Sequence, residues 1–310
     1  MQHTSHLLMI KPVRFGFNAE TAVNNSFQVR SADTAVQEKA LAEFENLIAL
    51  LKKHGIDVMV IEDSPEPHTP DSVFPNNWIS FHDDGTVYLY PMFAVNRRLE
   101  RKQQVLDAIR VKYKVKQIID LTKHEANDLF LEGTGSMVLD RENNIAYACL
   151  SPRTDKKILQ EFCEGMQYRA ISFSAVDAAG EPIYHTNVMM CVADQYAVIC
   201  LDAVKDVTER NQLCNSIAET GKEVIDISFE QMNRFAGNML QVNNAGGKKF
   251  VVMSSQAYHS LTTRQIEQIA KYNTIIHADI STIESNGGGS ARCMMAEVFL
   301  PLLAVTLSRI

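Results

Sequence analysis

The sequence predicts a five-bladed α/β propeller, residues 1–310 forming one domain closed by its own N-terminus. Three observations lead there. A helix-then-strand unit recurs five times, the first four units each end in a hairpin, and polar residues return at one place in every unit. The predicted strands start at residues 56, 115, 168, 223 and 274, intervals of 59, 53, 55 and 51 residues. A fixed period of this length marks a repeated supersecondary unit.

Leu7 to Ile10 reads as a free N-terminal strand. Asp33 can cap a helix in which Ala40, Leu41, Phe44, Leu47, Ile48 and Leu51 share one face, and Gly55 ends it before a strand over 56–61. Helices over 97–113, 155–166, 206–220 and 262–272 precede strands over 115–121, 168–174, 223–228 and 274–281. Paired apolar runs, 78–81 with 87–92, 137–139 with 145–150, 188–193 with 196–201 and 239–243 with 250–253, flank turns and read as hairpins. In the fifth unit, 296–303 reads as a buried helix replacing the second run, and the N-terminal strand completes that sheet. Such a unit cannot bury both faces alone, so five arranged about an axis is the simplest solution. Hairpins between the helices argue against the alternative, a doubly wound parallel sheet.

A composition 46% hydrophobic and 22% charged is that of a globular chain and excludes disordered and fibrous classes. The net charge is −7, and no Lys/Arg cluster is interleaved with aromatics, so nucleic acid is not an expected partner. Met1-Gln2-His3-Thr4-Ser5-His6 lacks a signal-peptide profile and no apolar run is long enough for a membrane span, so a cytoplasmic protein with no membrane partner is expected. Cys149, Cys163, Cys191, Cys200, Cys214 and Cys293 follow neither a disulfide framework nor a zinc spacing. Gly133-Thr134-Gly135 lacks the third glycine of a dinucleotide loop and no phosphate-binding GK[ST] run occurs, so neither metal nor cofactor is expected. The expected partner is a small molecule; a homo-oligomer is left open.

Directly before the first hairpin strand of successive units stand Asn77, Glu132, His185, Asn238 and Cys293, at intervals of 55, 53, 53 and 55 residues. Equivalent positions in a pseudo-symmetric ring face the axis. A carboxylate, an imidazole and a thiol remote in sequence are thereby predicted around one cavity. Taken singly, Glu132 reads as a solvated turn residue, His185 as a hydrogen-bonded structural histidine, and Asn77, Asn187 and Asn238 as strand-entry caps. Their common register is what those readings leave unexplained. Cys293 follows Gly287-Gly288-Gly289 and Arg292, and the predicted helix behind it would place the thiol at a helix N-terminus beside a cation, which favours a thiolate nucleophile.

Asp71-Ser72-Val73-Phe74-Pro75-Asn76-Asn77, Leu131-Glu132-Gly133, Cys149-Leu150-Ser151-Pro152-Arg153, His185-Thr186-Asn187 and Gly287-Gly288-Gly289 through Cys293 together resemble the guanidino-group-modifying enzyme superfamily of pentein fold. That superfamily includes arginine deiminases, dimethylargininases and amidinotransferases; over nearly the whole chain the resemblance runs to bacterial citrulline-utilisation hydrolases. It implies Cys293 as nucleophile, His185 as general acid and base, and Glu132 as the carboxylate that holds the imidazole and touches substrate nitrogens. It further implies that Arg153, with Arg97 or Arg98, holds the substrate α-carboxylate, that Asp71 meets the α-ammonium or a side-chain nitrogen, and that Asn76 or Asn77, together with Asn187, meets the substrate. As surface residues, arginines are ordinary; as carboxylate partners their planar fork is apt.

Two departures bear on the substrate. Asn77 and Asn187 stand where arginine-processing relatives often carry Asp. A guanidinium is permanently charged and only donates, whereas a neutral ureido group both donates and accepts, as an amide does. The expected reaction is therefore cysteine-dependent hydrolysis of a non-peptide C–N bond in citrulline, giving ornithine, ammonia and carbon dioxide. Dimethylargininase, arginine deiminase or amidinotransferase activity is the enzymatic alternative. A non-catalytic pentein binding protein, like the ribosome anti-association factor that shares this fold, is the other alternative, and it has no need of the three reactive groups in register.

Overall fold

Fifteen short strands fall into five three-stranded sheets in the computed structural model, which describes residues 1–303. Four sheets are built alike: β3 (Ile79–Phe81), β4 (Thr86–Leu89) and β5 (Gln117–Asp120); β6 (Val138–Asp140), β7 (Ile145–Cys149) and β8 (Arg169–Phe173); β9 (Met190–Val192), β10 (Tyr196–Ile199) and β11 (Glu223–Asp226); and β12 (Leu240–Asn243), β13 (Lys249–Ser254) and β14 (Thr274–Ala278). In each, the first two strands form an antiparallel hairpin and the third lies parallel to the second. A parallel neighbour needs a crossover. Helices over Gln103–Lys112, Lys156–Met166, Val207–Glu219 and Thr263–Ala270 supply it. The blade is thus hairpin, helix, strand, and the period read from the sequence is the same unit cut one step later.

The fifth sheet joins the chain ends. β1 (His6–Lys11) pairs antiparallel with β15 (Ala296–Glu297) and parallel with β2 (Asp57–Glu62), across helix Val36–Lys53. Closure by the N-terminal strand therefore holds. The helix expected over 296–303 does not form: residues 291–294 make a turn and β15 follows, with Ala296, Val298 and Leu300 packed into the core beside Leu8 and Ile10. The first hairpin strand of every blade lines the axis, and in this blade only the segment after Cys293 is placed to do so. Residues 304–310 lie outside the described residues.

Local rules set the helices. Phe44, Leu47 and Leu51 turn one face of Val36–Lys53 inward, each contributing about 1.5–3 kcal/mol by burial. Gly55 ends the helix with φ +77. Asp155 and Asp206 cap the helices that follow them, and Thr262 forms a capping box with Gln265. Asp33 does not cap: it accepts from Ala35 N and lies three residues before the helix begins at Val36. The helix expected over 97–113 is two, Val95–Arg98 and Gln103–Lys112, because Arg97 and Glu100 turn inward as a buried pair and Arg101 and Lys102 reach Glu125 and Asp63. The middle strands β7 and β10 are buried at every position, covered on both faces.

Candidate active site

Each first hairpin strand is entered through a tight turn: Pro75–Asn77, Gly133–Ser136, Thr186–Met189, residues 234–237 and residues 291–294. The part of 188–193 expected as strand before Met190 belongs to the third of these turns. The strands behind them meet at the axis, β15 with β3, β6 with β9 and β9 with β12, and the turn at Gly133–Ser136 packs against those at Pro75–Asn77 and Thr186–Met189. Asn77, Glu132, His185, Asn238 and Cys293 converge there, none more than 2% exposed. A small cavity opens among them, walled by Asn77, His185 and Cys293 with Asp71, Arg97 and Arg153.

His185 Nε2 lies 2.7 Å from Glu132 Oε2, while Glu132 Oε1 accepts from Phe93 N at 2.9 Å. Burial alone would raise the Glu132 carboxyl, but Arg153, His185 and Arg97 outweigh it and hold it at about 2. Burial lowers His185 to about 4 against the pull of Glu132, with Arg153 and Arg97 adding to the fall. The pair at neutral pH is a carboxylate and a neutral ring. Its proton then sits on Nε2 towards Glu132, leaving Nδ1 as an acceptor. Glu132 stands behind the imidazole and is not itself on the cavity wall.

The thiol is held by amides rather than by a helix end. Asn187 Nδ2 and Asn238 Nδ2 donate to Cys293 Sγ at 3.4 and 3.3 Å. Asn238 is itself fixed, since its Oδ1 accepts from Arg292 N at 3.0 Å and its Nδ2 also donates to the Asn187 carbonyl at 2.8 Å. Arg292 does not flank the sulfur as the sequence suggested: its guanidinium turns away to Met295 O and Glu297. Asn187 likewise faces the sulfur from the axial side and is not on the cavity wall; its Oδ1 is buried without a partner.

Of the two candidate arginines, Arg97 lines the cavity and Arg98 does not. Arg97 forks onto Glu100 at 2.9 and 3.0 Å and donates to Asn77 Oδ1 at 2.8 Å. Arg98 donates to Met92 O at 3.0 Å and lies 3.6 Å from Glu125, because helical spacing turns it outward. Asn77 likewise lines the cavity, whereas Asn76 donates to Thr134 Oγ1 away from it. Since Arg97 only donates, its bond fixes Asn77 Oδ1 towards it and leaves Nδ2, which is buried without a partner. A Cβ on Gly135 would lie 2.4 Å from that Nδ2 and 2.8 Å from His185 Nδ1, so only glycine lets the two groups face each other across this point.

The sequence reading missed the segment that covers the cavity. Thr21 and Asn25 line it; Asn18 Nδ2 and Thr21 Oγ1 donate to Asp71 Oδ2 at 2.8 and 3.1 Å. Arg153 donates to Thr21 O at 2.7 Å and to Asn24 Oδ1 at 2.9 Å. Asp71 Oδ1 remains unpartnered, and burial raises the carboxyl despite Arg97, Asn18 and Thr21. Only an unusual density of amide side chains over 18–28 could have drawn attention to this stretch. Asn238 had a signal, its register, but an asparagine before a strand has an ordinary explanation. Tyr184, whose hydroxyl donates to Gly288 O, closes the wall beside Arg153. No group of three or more His, Cys, Asp or Glu arranged for a metal ion occurs among the described residues, and no helix among them is long and apolar enough to cross a membrane.

The family model described as N,N dimethylarginine dimethylhydrolase, eukaryotic, matches residues 11–300. No curated protein sequence matches the chain. Among solved structures, the apo form of ArgZ, an arginine dihydrolase from the ornithine-ammonia cycle in cyanobacteria, superposes with a TM-score of 0.75 at 18% identity, covering 96% of this chain and 41% of ArgZ. The chain therefore spans well under half of that protein, and it corresponds to the N-terminal domain, whose product-bound structure gives 0.74 at 18% identity over 96% of this chain and 98% of that one. A dimethylarginine dimethylaminohydrolase adduct with S-methyl-L-thiocitrulline gives 0.63 at 14% identity, over 96% and 100%. At such identities the likeness is one of fold, and the fold is the pentein propeller.

Proposed function

The chain belongs to the N,N dimethylarginine dimethylhydrolase family, within the pentein guanidino-modifying superfamily, and from that premise we propose that it hydrolyses the ureido group of citrulline as one catalytic domain. Membership carries the coarser statement, that the protein is a hydrolase of non-peptide C–N bonds. The finer one rests on Asn77. Asn77 lines the cavity, and its Nδ2 is a buried donor without a partner. A guanidinium offers such a donor nothing to pair with, whereas a ureido oxygen accepts from it.

In this reading His185 Nδ1 takes the Cys293 thiol proton as the sulfur, held by the two amides, attacks the ureido carbon. His185 delivers a proton to the departing δ-nitrogen, and ornithine leaves as the C–N bond breaks. The same imidazole then takes a proton from water, which adds to the S-carbamoyl carbon; the C–S bond breaks and carbamate falls to ammonia and carbon dioxide. Glu132 keeps the ring oriented and supports its charged form. Arg153, on the cavity wall, pairs with the α-carboxylate and Asp71 offers its free Oδ1 to the α-ammonium, with Arg97 holding Asn77 and the charge balance.

A second reading, hydrolysis of arginine or a methylated arginine, is favoured by that same unpartnered Asp71 Oδ1, an anion able to face a guanidinium. Steady-state rates with citrulline, arginine and dimethylarginine decide between them: citrulline is expected to have the highest kcat/KM, and a preference for arginine would replace the first reading with the second. Asn77→Asp is expected to lower kcat/KM for citrulline relative to arginine by about tenfold or more, the scale of one buried polar contact made wrongly. An unchanged ratio would remove Asn77 from the account of selectivity. Cys293→Ser is expected to abolish turnover and the trapped carbamoyl adduct seen by mass spectrometry; normal turnover would refute the covalent mechanism.

A further inference from the structure

A second cavity, of about 210 Å³, opens among the hairpin turns at the far end of the blades, and it shares no lining residue with the Cys293 cavity. His82, Asp83 and Asp84 reach it from the β3–β4 turn, Arg141 and Asn144 from the β6–β7 turn, and Tyr168 from the start of β8.

Arg141 is the informative group. Its side chain is 7% exposed, and its nearest carboxylate oxygen among the described residues is Glu297 Oε1 at 3.8 Å, beyond hydrogen-bond distance. The other oxygen of Glu297 already accepts from Arg292 at 2.7 Å. Two buried guanidinium groups thus share one carboxylate, and one positive charge is left over. The Phe299 ring covers Arg141 at 4.1 Å, the neutral Tyr168 hydroxyl stands beside it, and Nη1 makes a long contact of 3.5 Å to His82 Nδ1. His82 adds no charge, because burial and Arg141 lower it well below its ordinary value. Its Nε2 meets Ser80 Oγ at 2.9 Å, and Ser80 meets Tyr90 OH at 2.6 Å, so the imidazole is tied into the wall. The rim is acidic. Asp84 is occupied by Thr86, but Asp83 is exposed and makes no hydrogen bond or ion pair among the described residues.

We propose that this cavity binds a small zwitterion, an α-amino acid, with its carboxylate on Arg141 and its ammonium towards Asp83. The buried cation calls for one anionic group, and the acidic rim selects against phosphates and other polyanions. The space is small, and it suits a ligand as small as glycine.

The test uses the full chain with glycine, acetate and inorganic phosphate as probes. It reads the imidazole NMR resonances of His82, identified by their loss in His82→Gln. Glycine is expected to shift them saturably and phosphate not. Arg141→Met is expected to weaken glycine binding by about tenfold or more, the scale of a charge-assisted pair. Asp83→Asn is expected to weaken glycine roughly two- to threefold and leave acetate unchanged, as for one exposed charge. The proposal is overturned if glycine gives no saturable shift, if phosphate binds as well as glycine, or if Arg141→Met binds glycine as the wild type does. Should Arg141→Met fail to fold, Asp83→Asn, at an exposed turn, still decides: glycine and acetate changing alike would refute the zwitterion assignment.

Discussion

His185 and His82 stand at opposite ends of the first hairpin strands, one just before β9 and the other just after β3, and both are almost fully buried. Burial lowers both rings below 6.5. They differ in what they touch. His185 has an ionised carboxylate at 2.7 Å and a thiol on the same cavity wall; His82 has a serine hydroxyl at 2.9 Å and an arginine beside it. A carboxylate partner supports the protonated ring for the moment a proton must be carried, whereas Arg141 only opposes it. Burial makes a histidine neutral, and the charge behind it sets whether it can take and return a proton.

The largest expected effect separates the two directly. His185→Gln is expected to lower kcat by about 10²–10⁴-fold, the usual contribution of a positioned acid and base. His82→Gln is expected to leave kcat nearly unchanged and to cost about 1–3 kcal/mol of stability, read by chemical denaturation, because it disturbs a buried hydrogen-bonded chain. Similar kcat losses in both would erase the contrast. Next in size is Gly135→Ala, which forces a methyl between Asn77 Nδ2 and His185 Nδ1. Displacing the imidazole is expected to lower kcat/KM roughly 10²-fold while the protein stays folded by circular dichroism. Full activity there would mean that the close approach of those two groups is unimportant.

The smallest effect concerns acid. A histidine whose folded value lies below 6.5 takes up protons more readily when unfolded, so its contribution to stability is present above pH 6.5 and is lost on acidification. For His185 the loss runs from pH 6.5 down through about 4, and for Glu132, lowered from 4.5 to about 2, it runs from 4.5 down to 2. Each histidine contributes at most about 1.4 kcal/mol per pH unit. Denaturation midpoints between pH 7 and 4 are expected to fall less steeply in both His185→Gln and His82→Gln than in the wild type. A variant that keeps the wild-type slope would identify a ring whose neutrality does not depend on the fold.

Sequence alone determined the repeat. Five helices and strands at one spacing leave few ways to bury their apolar faces, and a closed ring then forces Asn77, Glu132, His185, Asn238 and Cys293 to one end of the axis. Symmetry turned spacing into proximity. Tertiary structure alone decided the rest. Arg97 and Arg98 are adjacent and chemically identical, and helix phase sends one to the cavity and the other to Met92 and Glu125. The amides on the sulfur, the 18–28 segment over the cavity, and the strand in place of a helix after Cys293 depend on contacts between residues 50 or more positions apart, or between the two chain ends. Local propensity carries no record of such contacts, because they lower the free energy only once the ring has closed.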